Sequence, residues 1–170
     1  MIRYSLVIGI LLLPCLAGAA ESDPRPAPAV GRIVTDFQLF DLTGHSHALS
    51  DYHDPVIVLN FWAFWCDTWR KQLGQLRELA TQQETLGFRL VVISVDGQWT
   101  DARRQVLRGQ NLPFPVLLDA DKVVSGRLEI RKVPTVLVLD RERRVQYVHE
   151  AYPGNPPVLR AIRRAASLPE

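Results

Sequence analysis

Val56-Ile57-Val58-Leu59-Asn60-Phe61-Trp62-Ala63-Phe64-Trp65-Cys66-Asp67-Thr68-Trp69 is the stretch that decides the fold. Val56 to Trp62 is an apolar run of the kind that a strand buried on both faces needs. After Cys66 the period changes. Trp69, Leu73, Leu76 and Leu79/Ala80 recur at three- and four-residue spacing, one apolar helical face that ends near Gly87. Phe88 to Val95 is a second buried strand. Strand, helix and strand in this order imply a right-handed crossover between parallel strands, which puts the helix N-terminus at the carboxyl edge of the sheet. Cys66 stands at that edge, where α/β sheets bind ligands. The unsatisfied N–H groups and positive end of a helix favour a thiolate there, and an ionised Asp67 opposes it. The second cysteine of a Cys-x-x-Cys pair belongs at 69, where Trp69 stands instead. No disulfide can close within this motif.

Outward from the crossover, the remaining elements are short. Asp36 to Leu42 alternates weakly, Thr43-Gly44 makes a turn, and His45 to Leu49 returns, which reads as an N-terminal β-hairpin. Thr100 opens a helix to about Arg108, Phe114 to Leu118 is a strand, and Asp121 to Leu128 a short helix. Val133-Pro134-Thr135 leads into a strand over Val136 to Leu139, and Arg144 to His149 returns antiparallel to it. Pro157 to Ala166 closes the domain as a helix. The fold class is α/β, a central mixed sheet flanked by helices, in a single domain over 32–168.

Ahead of that domain, residues 1–20 read as an export signal: Arg3 in the n-region, Leu6 to Leu13 as the apolar core, Ala17-Gly18-Ala19-Ala20 as the cleavage site. Residues 21–31, with prolines at 24, 26 and 28, read as a Pro/Ala-rich tether. The chain is therefore expected in the periplasm or otherwise exported, with membrane attachment only if the signal is retained. Pro14 breaks the apolar run and stands against lipidation at Cys15. With the signal removed, Cys66 is the sole cysteine, a thiol that pairs with another molecule or stays free. With 170 residues, 47% of them hydrophobic, and a net charge of +2, the chain supports one buried core and gives no sign of nucleic-acid binding.

Several short motifs fall in order: Asp36-Phe37-x-Leu39, Asp41-Leu42-x-Gly44, Leu49-Ser50-Asp51-Tyr52, Asn60-Phe61-Trp62-Ala63-x-Trp65-Cys66, Phe114-Pro115-Val116-Leu117-Leu118-Asp119 and Val133-Pro134-Thr135. Together they resemble the TlpA/ResA group of exported thioredoxin-like proteins, within the AhpC/TSA redoxin superfamily, from about 32 to 165. The resemblance implies a thioredoxin-like fold whose members exchange disulfides, often to keep apocytochrome or copper-site cysteines reduced. It also places a cis-proline at Pro134, facing the cysteine. That family pattern runs on to a second cysteine at 69, an acid at 72 and a proline at 74; this chain has Trp69, Gln72 and Gly74. The acid handles the proton of the second thiol in those relatives, so its loss together with that thiol is coherent with loss of the dithiol cycle.

The candidate catalytic residue is Cys66, and the candidate substrate-binding residues are Trp65, Trp69, Val133 and Pro134. A cis X-Pro bond leaves the preceding backbone free to pair with an extended peptide. Phe64 and Trp65, on the loop before the cysteine, read as partner surface together with Trp69. His45 and His47 share one face of the hairpin, but two ligands make no metal set, and neither metal nor cofactor is assigned. The basic runs Arg141-x-Arg143-Arg144 and Arg163-Arg164 read as solvated faces. The expected partners are proteins, among them cysteine-containing polypeptides, engaged with at most monothiol chemistry. The alternatives are a non-catalytic thioredoxin-fold binding or chaperone module and a one-cysteine peroxidase. The latter needs Thr and Pro three and seven residues before the cysteine, where Ala63 and Leu59 stand.

Overall fold

The computed structural model describes residues 29–167. The export signal at 1–20, Cys15 and most of the tether lie outside the described residues. The tether's last residue already belongs to the domain, because Gly31 N–H donates to Val145 O at 2.8 Å.

In chain order the strands are β1 (Gln38–Asp41), β2 (Ser46–Ala48), β3 (Val56–Trp62), β4 (Phe88–Ser94), β5 (Val116–Leu118), β6 (Thr135–Leu139) and β7 (Val145–Glu150). The helices are α1 (Trp69–Ala80), α2 (Gln83–Leu86), α3 (Asp101–Arg108), α4 (Val123–Arg127) and α5 (Asn155–Ala165). All seven strands form one mixed sheet in the order β2-β1-β5-β4-β3-β6-β7. β3, β4 and β5 run parallel, β6 and β7 are antiparallel on one side, and the β1–β2 hairpin is antiparallel on the other.

The two-sided burial read from Val56 to Trp62 is what β3 shows. Val56, Val58 and Trp62 pack on one face with α1 and α5, while Ile57, Leu59, Phe61 and Ala63 pack on the other with α4. Successive strand residues point to opposite faces, so Asn60 falls on the α1 side, and its Oδ1 accepts from Gln72 Nε2 at 2.9 Å. A slip of one residue in β3 would break this pair in a fully buried setting, at a cost of about 1–3 kcal/mol.

The helix expected to run to Gly87 is broken into α1 and α2. Thr81 Oγ1 donates back to Glu78 O at 2.7 Å, and the buried Gln83 turns its Oε1 to accept Leu90 N–H at 2.7 Å. Gly87 then ends α2 in the left-handed region at φ 63°. The helix expected over 121–128 shortens to α4, because Asp119 takes the N–H groups of Val124 and Ser125 at 3.1 and 2.7 Å. The strand expected from Phe114 starts at Val116, after Pro115, which has no N–H for a ladder.

Candidate active site

β3 carries the chain to the carboxyl edge of the sheet, and residues 63–68 then turn twice before α1. Cys66 N–H donates to Ala63 O at 3.2 Å and Trp69 N–H to Cys66 O at 3.0 Å. Cys66 therefore lies in the turn ahead of α1, with Thr68 at the N-cap. It precedes the helical N-terminus on which the sequence places it.

Two groups hold this loop. The first is Asp96, 1% exposed, just beyond β4. Its Oδ2 accepts Phe64 N–H at 2.9 Å and the Ser94 hydroxyl at 2.7 Å, and Arg103 Nη1 approaches Oδ1 at 3.4 Å. The second is an aromatic cluster in which the Phe64 ring lies 5.1, 4.9 and 5.6 Å from those of Trp62, Trp69 and Trp99. Such pairs contribute about 0.5–1.5 kcal/mol each beyond the area they bury.

Cys66 is half-buried. Its Sγ lies 3.2 Å from Thr68 Oγ1 and donates toward Val133 O at 3.8 Å. The Val133–Pro134 peptide bond is cis. Pro134 O accepts Ala151 N–H at 2.7 Å, which ties this loop to the end of β7. Cys66, Thr68, Lys71, Gln72, Pro134 and Tyr152 line a cavity of about 460 Å³. On the other side of the loop a smaller cavity, about 100 Å³, is lined by Trp65, Val133, Lys122, Arg131 and Lys132 among others.

The structure thus brings Cys66 and Pro134 together, with Trp65 and Val133 beside them. Trp69 is a correction. Its position beside the cysteine predicts partner surface, whereas it is 8% exposed, its indole packed on Trp62 and Phe64 and covered by the Arg70 guanidinium at 4.4 Å. Phe64 likewise packs into the core, and Trp65, 62% exposed, is left as the outward aromatic of the loop. The two hairpin imidazoles go to different partners: His47 Nε2 lies 3.1 Å from Asp41 Oδ2, whereas His45 Nδ1 lies 2.7 Å from Thr43 Oγ1. Among the described residues no group of three or more His, Cys, Asp or Glu could hold a metal.

Sequence reasoning does not mark Asp96, Lys71 or Tyr152. For Asp96 the available signal is an ionisable residue directly after a buried apolar run at the carboxyl edge. Tyr152 donates to Asn155 Oδ1 at 2.6 Å, and burial, with the nearby Glu78 charge, pushes its hydroxyl above the usual tyrosine value. It is a neutral wall of the cavity.

The AhpC/TSA family model matches residues 30–148. The chain belongs to the AhpC/TSA family. The thiol-disulfide oxidoreductase ResA of Geobacillus kaustophilus is 29% identical over 124 residues, covering 73% of this chain and 71% of that relative. ResA of Geobacillus thermodenitrificans is 28% identical over 145 residues, covering 84% and 83%. A crystal structure of a putative thiol:disulfide interchange protein DsbE from Chlorobium tepidum superposes with a TM-score of 0.72 at 25% identity. It covers 82% of this chain and 99% of its own. The fold of this AhpC/TSA member is thioredoxin-like, as the resemblance implied, and its relatives include thiol-disulfide oxidoreductases.

Proposed function

We propose that this chain is an exported thioredoxin-like protein that engages extended, cysteine-bearing polypeptides and exchanges disulfides through Cys66 alone. The observation that carries the reading is the pairing of one thiol with the cis-proline loop. Cys66, the only cysteine among the described residues, opens with Pro134 into one cavity. Position 69, which a resolving thiol would occupy, is filled by a core tryptophan, and Gln72, 3% exposed, offers an amide where a proton-handling acid would stand. The proposed step is an attack of the Cys66 thiolate on one sulfur of a partner disulfide. The Cys66–partner bond forms, the partner's S–S bond breaks, its second sulfur leaves as a thiolate, and the Cys66 proton passes to solvent. An external thiol must then release the mixed disulfide, because the site supplies no second sulfur.

Support for export comes from residues 1–20. No described helix is long and apolar enough to cross a membrane. Fusion of residues 1–35 to alkaline phosphatase should give active reporter, and an inactive cytoplasmic reporter refutes export. The test of the chemistry uses the full chain carrying Cys15→Ser, titrated with iodoacetamide across pH and then offered a disulfide-bonded model peptide. Rapid alkylation and a peptide adduct at Cys66 by intact mass support the proposal. An inert thiol in the folded protein refutes it in favour of the non-catalytic binding module.

A further inference from the structure

The two cavities share one ridge. Cys66 and Pro134 line the larger, while their chain neighbours Trp65 and Val133 line the smaller, so the paired segments 65–66 and 133–134 divide them. The charges along them are one-sided. Lys71 lines the larger cavity, Lys122, Arg131 and Lys132 line the smaller, and no aspartate or glutamate lines either. The chain as a whole is nearly balanced, with 20 basic against 18 acidic residues. Lys132 is answered by Glu150 at 3.3 Å, whereas Lys71 and Lys122 enter no ion pair among the described residues. Asp67 and Asp121 lie next to Cys66 and Lys122 in the chain but line neither cavity. In the larger cavity the buried Gln72 commits its Nε2 to Asn60, which leaves its Oε1 as an acceptor for an entering N–H group.

We infer that the site selects a cysteine flanked on both sides by acidic residues in an extended polypeptide. The inference rests on the monothiol chemistry proposed above and names its substrate class. An extended chain advances about 3.3 Å per residue, so a peptide whose cysteine meets Cys66 on the ridge carries its flanking residues over the two cavities. The backbone of Val133 offers it a strand-like partner, Trp65 an aromatic face, and the lysines a field that steers carboxylates. The reacting sulfurs make the same bonds as above; the lysines act on encounter.

The test uses the full chain carrying Cys15→Ser and pentapeptides with a central cysteine activated as the thionitrobenzoate mixed disulfide. Cys66 attacks the peptide sulfur, thionitrobenzoate leaves as a coloured thiolate, and its release gives the rate. An uncharged dipyridyl disulfide reports the intrinsic reactivity of Cys66. Glutamate-flanked peptide should react about tenfold faster than lysine-flanked peptide at low ionic strength, with the ratio shrinking as salt is added. The exposed double variant Lys71→Glu/Lys122→Glu should reverse that ranking when each peptide rate is divided by the same variant's dipyridyl rate, which removes any change in the thiol itself. Equal rates for the two peptides with a normal dipyridyl rate overturn this inference alone. A Cys66 unreactive toward dipyridyl disulfide overturns the proposed function and this inference with it.

Discussion

Trp69→Cys combined with Gln72→Glu should convert the site into a closable dithiol, and the structure sets both the feasibility and the cost. Trp69 N–H donates to Cys66 O at 3.0 Å, so residues 66–69 form a turn. In such a turn the outer Cα atoms lie within about 7 Å. Disulfides span about 4.4–6.8 Å between Cα atoms, so closure needs little backbone movement. The cost lies in packing. Trp69 is 8% exposed against Trp62 and Phe64, and removing a buried aromatic side chain of this size costs about 3–5 kcal/mol. That is a large part of the roughly 5–15 kcal/mol that holds a domain of this kind together. Glutamate at 72 removes the Nε2 donor to Asn60 Oδ1 and buries a carboxylate at a 3% exposed position, a further cost of about 1–3 kcal/mol, offset in part where Asn60 Nδ2, a buried donor without a partner, turns to the new carboxylate. The double variant should therefore unfold at distinctly lower denaturant, form an oxidised species two hydrogens lighter by intact mass, and gain activity in a dithiothreitol-dependent insulin reduction assay. The unaltered chain should show no such turnover. If the folded double variant fails to form the 66–69 disulfide under oxidising conditions, the alignment of position 69 with a resolving thiol is refuted. Dithiol-like turnover by the unaltered chain would refute the monothiol argument itself.

Cys66→Ser should shift stability by less than about 1 kcal/mol, since the sulfur is half-buried and its polar partners, Thr68 Oγ1 and Val133 O, can also bond a hydroxyl; a loss beyond about 2 kcal/mol in urea unfolding would mean a structural thiol. Asp96→Ala should cost about 2–4 kcal/mol and slow peptide adduct formation at Cys66, because it strands the buried Phe64 N–H and Ser94 hydroxyl; near-wild-type values for both would remove Asp96 from the loop's support. The hairpin should respond to acid through Asp41. Burial acts to raise its carboxyl, but bonds from the Thr43 hydroxyl, His47, and the Thr43 and His45 N–H groups prevail and hold it well below the usual carboxylate range. A carboxyl depressed on folding adds stability that is complete above its unfolded value, near pH 4, and is lost as pH falls toward the folded one. Asp41→Asn should therefore be less stable at neutral pH and show a shallower loss below about pH 4, and an unchanged acid slope would refute that role.

Trp69 shows how much of the site was legible. Two sequence signals met on it: closeness to the cysteine pointed to surface, while its place at the head of the Trp69, Leu73, Leu76 stripe pointed to the core. Helical periodicity prevailed, because a ring on the inner face of α1 has Trp62 and Phe64 to pack against. The same periodicity, with the apolar runs of β3 and β4, made the parallel crossover readable in advance. The break between α1 and α2 was not readable, since it depends on Thr81 and Gln83 finding particular backbone partners. For Asp96 only the position was readable, an ionisable residue directly after the β4 run; its bond to Phe64 N–H arises from tertiary proximity across 32 residues of chain.

The chain has four tryptophans, and their exposures differ sharply. Trp62 and Trp69 are 2% and 8% exposed and Trp99 is half-buried, whereas Trp65, next to Cys66, is 62% exposed. A dissolved collisional quencher such as acrylamide will therefore extinguish mainly the emission of Trp65, and a polypeptide seated on the ridge will shield it. The molecule carries its own optical gauge of occupancy, readable in unlabelled protein and in variants that have no thiol at position 66.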